Sequence, residues 1–348
     1  MATPFDLLQA NYLLGYWNSN PLYTAPYLME ALFTPTKQKA DNVKLLNGQD
    51  IYPAPLDYTQ EGAVALPVER GSLSTGTLPT YKFKNSLDLD ENDFKDLNNA
   101  MASNDPNLIY NITKKLYDDQ ANLLIRARFT REYYATQALL NGKLTLGNLV
   151  ADYGYESYQS ATASKSWDDP ASNPYDDIRA VKDTAAQKAG TSLNRALMNS
   201  TTMYTLMHND ALKNTIFSGS VSPQGNILTE PTVLQWFSAV LGLSVVVYDK
   251  GWNTPQGKFA KFIPDGKIIL LPGNANDPIG QMNFVETPEE GLSGTPGMGT
   301  VALFDTGVSL LTKANDNPVT VTAIADEKFV PMITVAKQVF ILDVLASK

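Results

Sequence analysis

The chain has no cysteine in 348 residues, which removes disulfides, thiolate metal ligands and cysteine nucleophiles in one step. It has one histidine, His208. A zinc site would therefore need an all-carboxylate or water-rich shell, and a Ser-His-Asp triad would have only this imidazole to use. Set between Met207 and Asn209 in a helix-forming stretch, His208 reads as an ordinary, partly exposed histidine. Basic residues are missing from the start of the chain, where the first is Lys37. "MATPFDLLQANYLLGYW" thus lacks the charged opening of a secretory signal, and a protein made and kept in the cytoplasm is expected. Long apolar runs are missing as well. The longest, Leu241 to Tyr248, is interrupted by Gly242 and Ser244 and is too short to span a bilayer, so no membrane partner is expected. No Lys/Arg-rich run offsets the formal charge of −9, from 36 acidic and 27 basic side chains. Tight binding to DNA or RNA through phosphates is not expected, and only weak, non-specific contact remains open.

Recognisable catalytic patterns are absent too. "GLSGTPGMGT" is rich in glycine but has no Lys-Ser/Thr and opens no helix, so it is a connection and not a phosphate loop. Calcium loops and metalloprotease helices do not occur. Asp168 and Asp169 in "WDDPASNP" are the one pair to weigh for carbohydrate chemistry, because glycosidases set two carboxylates about 5–10 Å apart. Adjacent aspartates usually point different ways, and the stretch reads as a turn closed by Asx caps. Neither an enzyme nor a cofactor or metal site is expected.

What is present is enough apolar material for a real core, 43% hydrophobic and 10% aromatic. The length suggests about two domains. Residues 1–45 look like an arm with an apolar stripe through Phe5, Leu8, Tyr12 and Trp17, then prolines that interrupt regular structure. Residues 46–95 are punctuated by Pro53, Pro55, Pro67 and Pro79 and by several glycines. Two strands meeting near Arg70-Gly71 predict a projecting hairpin, too poor in apolar residues to stand alone. From Asn107 to Asn141 the spacing of Leu108, Ile112, Leu116, Leu123, Ala127, Tyr134 and Ala138 puts them on one face and predicts one helix, on the order of 50 Å long. Lys114, Lys115, Arg126, Arg128, Arg131, Asp118, Asp119 and Glu132 are assigned to its remaining surface. In "REYYATQALLNGKLTLGN" the helix stops at Asn141-Gly142, both tolerant of the left-handed conformation, and a strand over 143–155 follows.

Residues 174–250 alternate helix and strand, a compact α/β unit. Helices are predicted at 175–189, at 201–217 with Ser200 or Thr201 as cap, and after Thr229 with Val233, Trp236, Phe237 and Val240 on one face. "KFAKFIPD" and "KIILLPG" predict a hairpin about Asp265-Gly266. From Gly280 onward the chain is mostly strand and is expected to return to the sheet under the long helix.

This order resembles the lambda-type major capsid proteins of tailed bacteriophages, the phage major capsid protein E family. The likeness is carried by "DLLQANY", "VERGSLSTGTLPTYKFK", "ALLNGKLTLGN", "SWDDPASNPYDDI", "KFIPDGKIILLPG" and "KFVPMITVAKQVFILDV", spread over nearly the whole chain. It implies an α+β, HK97-type fold: an N-terminal arm (1–45), an extended loop (46–95), a peripheral domain (96–165 and 278–348) with a spine helix (107–141), and an inserted α/β axial domain (166–277). It implies a non-enzymatic subunit that assembles through hexamers and pentamers into an icosahedral shell around double-stranded DNA. Scaffolding protein, maturation protease and portal are the implied partners, with a decoration protein as a further one, and the virion, assembled in the bacterial cytoplasm, the implied location.

On that basis Glu69, Arg70, Lys82 and Lys84 in the loop, and Tyr12 and Trp17 in the arm, are candidate inter-subunit contacts. Deletion of residues 1–20 is expected to block assembly without unfolding the subunit. The alternatives are an encapsulin-like nanocompartment shell of the same fold, a cytoplasmic carbohydrate-active enzyme using Asp168 or Asp169, and a solute-binding protein.

Overall fold

Two hydrophobic clusters share the long helix, and a third fills an inserted unit beside it. The computed structural model describes residues 4–20, 27–47, 74–103, 105–217, 227–254, 256–275, 277–295 and 297–345. Helices α1 (Pro4–Leu7) and α2 (Ala10–Ser19) fold back on their own chain, and α3 (Leu28–Leu32) runs straight into β1 (Phe33–Gln38). Strands β2 (Asn42–Asn47) and β3 (Ser74–Pro79) pair antiparallel, with Asn42 opposite Pro79. Next come β4 (Tyr81–Leu89), α4 (Glu91–Ser103) and the long α5 (Pro106–Asn141). The expected meeting point at Arg70-Gly71 lies outside the described residues.

The 36 residues of α5 make a rod about 54 Å long. Asp105 caps its start, accepting the N–H groups of Asn107 at 2.9 Å and Leu108 at 3.4 Å, and Pro106 sits where a missing N–H costs nothing. Gly142 closes the other end at φ 60°, where a Cβ would stand 2.2 Å from Cγ of Tyr155. Only glycine meets both demands. Beyond it the chain makes a short hairpin, β5 (Lys143–Leu146) and β6 (Leu149–Asp152), turning at Gly147, in place of one strand over 143–155.

The first sheet is organised by the fifteen-residue β16 (Val319–Ile333). Strand β13 (Gly280–Val285) pairs with its end and joins β1, in parallel, to the sheet. Strand β15 (Val308–Asp316) pairs with its first part and leads to β14 (Thr300–Phe304), while β4 runs along it from Leu89 opposite Val321 to Tyr81 opposite Phe329. The second half of the expected loop is therefore a sheet strand. Helix α5 packs over this sheet. Leu8, in the turn between the first two helices, and Leu13 and Trp17 of α2 are buried between α4, α5 and β14, so this part of the arm belongs to the subunit's own core.

The second sheet runs β7 (Ser160–Thr162), β17 (Phe340–Asp343), β12 (Lys267–Pro272), β8 (Leu193–Met198), β9 (Ser244–Val247). Helices α6 (Pro174–Ala189), α7 (Ser200–His208), α8 (Asp210–Ile216) and α9 (Glu230–Trp236) cover it. A separate pair, β10 (Gly251–Asn253) with β11 (Phe259–Lys261), lies beside it. The chain enters the second sheet from the α5–β5–β6 segment at 153–159, returns to the first sheet at 273–279 and leaves it again at 334–339. These crossings are tied together: Tyr153 donates to the Pro331 carbonyl at 2.6 Å, Gln159 to Ala336 and Val339 at 2.7 Å each, and Thr334 N–H to Ile279 at 3.1 Å.

Several expectations are corrected. The hairpin expected over 258–273 does not pair with itself, because both edges of β12 are taken by β8 and β17 while β11 pairs with β10. Strand β17 departs from the grouping of 278–348 and joins the second sheet. The helix expected over 201–217 is two, capped by Asn199 and Asn209, whose side chains accept the Thr202 and Leu212 N–H groups at 2.8 and 3.0 Å. After α9 the helix widens into a π turn, Phe237–Leu241, which rotates Val240 off the apolar face and leaves it 50% exposed.

Candidate interaction surface and the charge network beneath it

Lys82 and Lys84 lie on β4, and both are engaged within the chain. Lys82 Nζ stands 3.0 Å from Asp326 and 3.8 Å from Glu289, and Lys84 donates to Glu289. Strand register explains this, since Lys84 faces Asp326 across the β4–β16 pair and the turn after β13 brings Glu289 over them. Trp17 is buried and sets its ring edge-on against Phe304, centroids 6.3 Å apart. Tyr12, expected on the same apolar stripe, is outside: the buried positions of α2 are Ala10, Leu13 and Trp17, and Tyr12 is 54% exposed. Glu69 and Arg70 lie outside the described residues.

Beneath this surface is a set of buried charges that the sequence assigned to solvent. Arg128, Arg131 and Glu132 all face inward from α5. Arg131 donates from Nε to Glu327 of β16 at 2.8 Å and lies 4.6 Å from the Phe284 ring centroid. Arg128 donates to both carboxylate oxygens of Glu30 in α3, from Nε at 2.8 Å, and covers Tyr27 at 5.0 Å. Glu132 accepts the Met29 N–H at 2.9 Å, so α3 is fastened to α5 twice. The overlooked signal was spacing. Leu124, Arg128, Arg131, Ala135 and Ala138 step by three and four, which places both arginines on the core face.

Burial sets the ionisation of these groups. It pushes Glu132 up to about 7, against Tyr248 and the Met29 N–H. It pushes Glu327 to about 7 as well, against Arg131. Asp326 and Glu289 divide one proton: burial and the carboxylate beside it raise Asp326 to about 6, while the proton on Asp326, helped by Lys84, holds Glu289 at about 2. For Glu30 burial is outweighed by the Arg128 and Tyr27 hydrogen bonds, and its pKa is lowered.

Asp168, Asp169 and His208 line one cleft of about 230 Å³ with Tyr204, Asn209 and Asp210. Asp169 closes a turn there, accepting the Ala171 N–H at 2.8 Å. The His208 ring packs tilted against that of Tyr204, centroids 4.0 Å apart, and its Nδ1 lies 2.9 Å from the Tyr204 carbonyl. The buried carboxylate nearby, Asp177, is used by the Trp167 indole N–H at 2.9 Å and the Ser164 N–H at 3.0 Å. Among the described residues no cluster of His, Asp and Glu could hold a metal ion, and no helix is long and apolar enough to cross a membrane.

Outward-facing apolar side chains collect elsewhere. Leu108, expected on the apolar face of α5, is exposed with Tyr110 because the buried positions of the helix begin only at Leu116, and Leu149 and Val150 are exposed at the β5–β6 turn. An open groove of about 840 Å³ runs between β4, α5 and the β10–β11 pair, walled by Phe83, Phe129, Tyr133 and Trp252 and rimmed by Lys82, Lys84 and Arg126.

A profile of the family described as phage major capsid protein E matches residues 9–302. Among solved structures the chain is similar to a putative capsid protein of an Escherichia coli CFT073 prophage, at 15% identity over 97% of this chain and 99% of that one, with a TM-score of 0.60. It is similar to a phage-related protein from Bordetella bronchiseptica RB50, at 11% identity, 96% of each chain and a TM-score of 0.55. It is also similar to the chain in the capsid asymmetric unit of cyanophage A-1(L), at 12% identity over 94% of this chain and 99% of that one, TM-score 0.52. No curated protein matches the sequence.

Proposed function

Because the chain belongs to the phage major capsid protein E family and is a structural protein of a capsid shell with an α+β, HK97-type fold, we propose that it closes, through hexamers and pentamers, into the icosahedral head of a tailed phage around double-stranded DNA. The observation that carries this is the family match over most of the chain. The net charge of −9 supports the DNA-containing role, because a shell packed with DNA must not grip it.

The helix-bearing sheet then serves as the peripheral domain with α5 as its spine, the five-stranded sheet with α6–α9 as the axial domain, and the β2–β3 hairpin as the base of a loop over a neighbour. Scaffolding protein, maturation protease, portal and a decoration protein are proposed partners, and the host cytoplasm the place of assembly. We take the subunit to have no enzymatic role. Asp169 is spent on a turn and Asp177 on the Trp167 indole, which supports that reading.

Light scattering with negative-stain microscopy tests it. Closed shells, or rings of five or six subunits, are the expected result. A monomer of about 38 kDa that stays single on concentration and with co-expressed scaffold overturns it. Shells that enclose a co-purifying enzyme and need no portal would favour the nanocompartment instead.

A further inference from the structure

The order of the second sheet, β7, β17, β12, β8, β9, leaves β7 at one edge and β9 at the other, and no further strand pairs with either among the described residues. The successive pairings are parallel, antiparallel, antiparallel and parallel, so β7 and β9 run in the same direction. Edge strands present unpaired backbone groups and are commonly blunted by proline or charge. Strand β1, at an edge of the first sheet, carries both Pro35 and Lys37. Strand β9 reads Ser-Val-Val-Val and β7 Ser-Ala-Thr, with neither device.

The hydrogen bonds to the inner strands fix which groups face outward. Tyr248 donates its N–H to the Met198 carbonyl of β8 at 2.9 Å, so Val246 faces β8 as well, and Val245 and Val247 point their N–H and C=O away from the sheet. At the other edge Ala163 donates to the Asp343 carbonyl of β17 at 2.7 Å, so Ser160 and Thr162 point outward. The Ser160 N–H is used by the Ser157 carbonyl. The other outward backbone groups of these four residues have no hydrogen-bond partner among the described residues. The side chains agree with this register. Val245, Val247 and Ala161 pack on the helix-covered core, whereas Val246, 37% exposed, and Thr162 lie on the other face.

We infer that β9 of one subunit pairs in parallel with β7 of a second copy, so that the sheet continues across the boundary between them. The two rows of groups interlock: Val245 N–H donates to the Ser160 carbonyl, Thr162 N–H to the Val245 carbonyl, and Val247 N–H to the Thr162 carbonyl. Thr162 then lies opposite Val246, and the Ser160 N–H, already used, falls beyond the start of β9. The partner is a second copy because this chain supplies both halves of the ladder in matching direction. The halves cannot meet within one chain, since three strands hold them about 19 Å apart. The inference rests on the shell-forming function. Two different edges make a heterologous contact that repeats in one rotational sense, as rings require, whereas β9 against β9 would stop at a pair.

The absence of cysteine makes the test clean, because a disulfide needs Cα atoms within about 7 Å. The double variant Thr162→Cys/Val246→Cys is assembled, oxidised and run on a non-reducing denaturing gel beside the two single variants. The expected result is a series of covalent oligomers from the double variant and monomer from each single one. Shells of normal size without covalent oligomers overturn the pairing. So does a Val246→Cys variant that forms dimers by itself, which would set β9 against β9. Thr162→Pro tests the backbone, since it removes an outward N–H and leaves the bonds to β17 in place. It is expected to lower shell yield at least about tenfold with the melting temperature of the unassembled subunit unchanged. Normal shells from Thr162→Pro overturn the pairing even where the disulfide forms, because the strands would then lie side by side without their hydrogen bonds. If Thr162→Pro does not fold, the disulfide result alone decides. If the unaltered chain forms no particles at all, it is the shell-forming function that fails, and the pairing with it.

Discussion

Arg131 on the long helix donates from Nε to Glu327 on the central strand at 2.8 Å, and the two side chains are only 6% and 2% exposed. The pair fastens α5 to β16 at the middle of the subunit, with Phe284 packed against the guanidinium. A buried pair of this kind is weak evidence for net stability, but breaking it is costly because one charge is left without its partner. Arg131→Ala is expected to lower stability by about 3–5 kcal/mol, and Arg131→Met/Glu327→Leu by much less. Denaturant unfolding of the unassembled subunit measures both; equal losses would mean that packing volume, not the orphaned charge, sets the cost.

Stability also depends on pH with a sign fixed by burial. Glu132 and Glu327 hold their protons to about pH 7 in the folded chain, against 4.5 ordinarily. Across that window the folded state binds more protons than the unfolded one, so stability falls as pH rises through it. Asp326, raised to about 6, adds to the effect. Glu30, Asp249 and Glu289 are lowered; their contribution is present above the ordinary carboxylate range and is lost as pH falls below it. The unassembled subunit is therefore expected to be most stable near pH 5, with a higher denaturant midpoint at pH 5.5 than at pH 8. A midpoint that climbs steadily over that interval contradicts the assignment.

Removing the start of the chain is expected to do more than block assembly. Leu8, Leu13 and Trp17 are each under 5% exposed within the subunit's own core. Trp17→Ala should cost about 3–5 kcal/mol, and deletion of residues 1–20 more. Thermal melts of the isolated subunit decide this. A truncated chain as stable as the whole one would return the segment to a neighbour's surface.

Lys82 and Lys84 make a different prediction from the one that exposed lysines on a hairpin suggest. Each already has a carboxylate in its own chain. Lys82→Met/Lys84→Met should leave shell formation in place while moving the shared proton of Asp326 and Glu289 to higher pH, readable by NMR titration of those carboxyls. Loss of shells from a subunit of unchanged stability would assign the lysines to a neighbour after all.

The sequence spoke most clearly where a single local rule decides the outcome. Asn141-Gly142 marked the end of α5 because a left-handed cap has few candidates, and the apolar spacing from Leu116 to Ala138 marked its course. It spoke least clearly where pairing is non-local. Nothing in "KFIPDGKIILLPG" reveals that β12 prefers β8 and β17 to the strand next to it, because that choice is made by partners about 70 residues away in either direction. Charged residues misled for a related reason. Arg128, Arg131 and Glu132 look like a solvated face until Glu30 and Glu327, from distant parts of the chain, are brought against them. Of the candidate contacts in the described residues, Tyr12 is open to a partner in the subunit, whereas Trp17 is spent in the core.

The three crossings between the sheets have a kinematic consequence. Two bodies joined by one strand can swing about it, and two bodies joined by two can still turn about the line between them. Here Tyr153, Gln159 and Thr334 lace three short connections into one band. Relative rotation of the sheets must break hydrogen bonds at one crossing whichever axis it takes. The subunit is thus built to travel as a single stiff plate, and any change in the shell's curvature has to be taken up along the seams between plates.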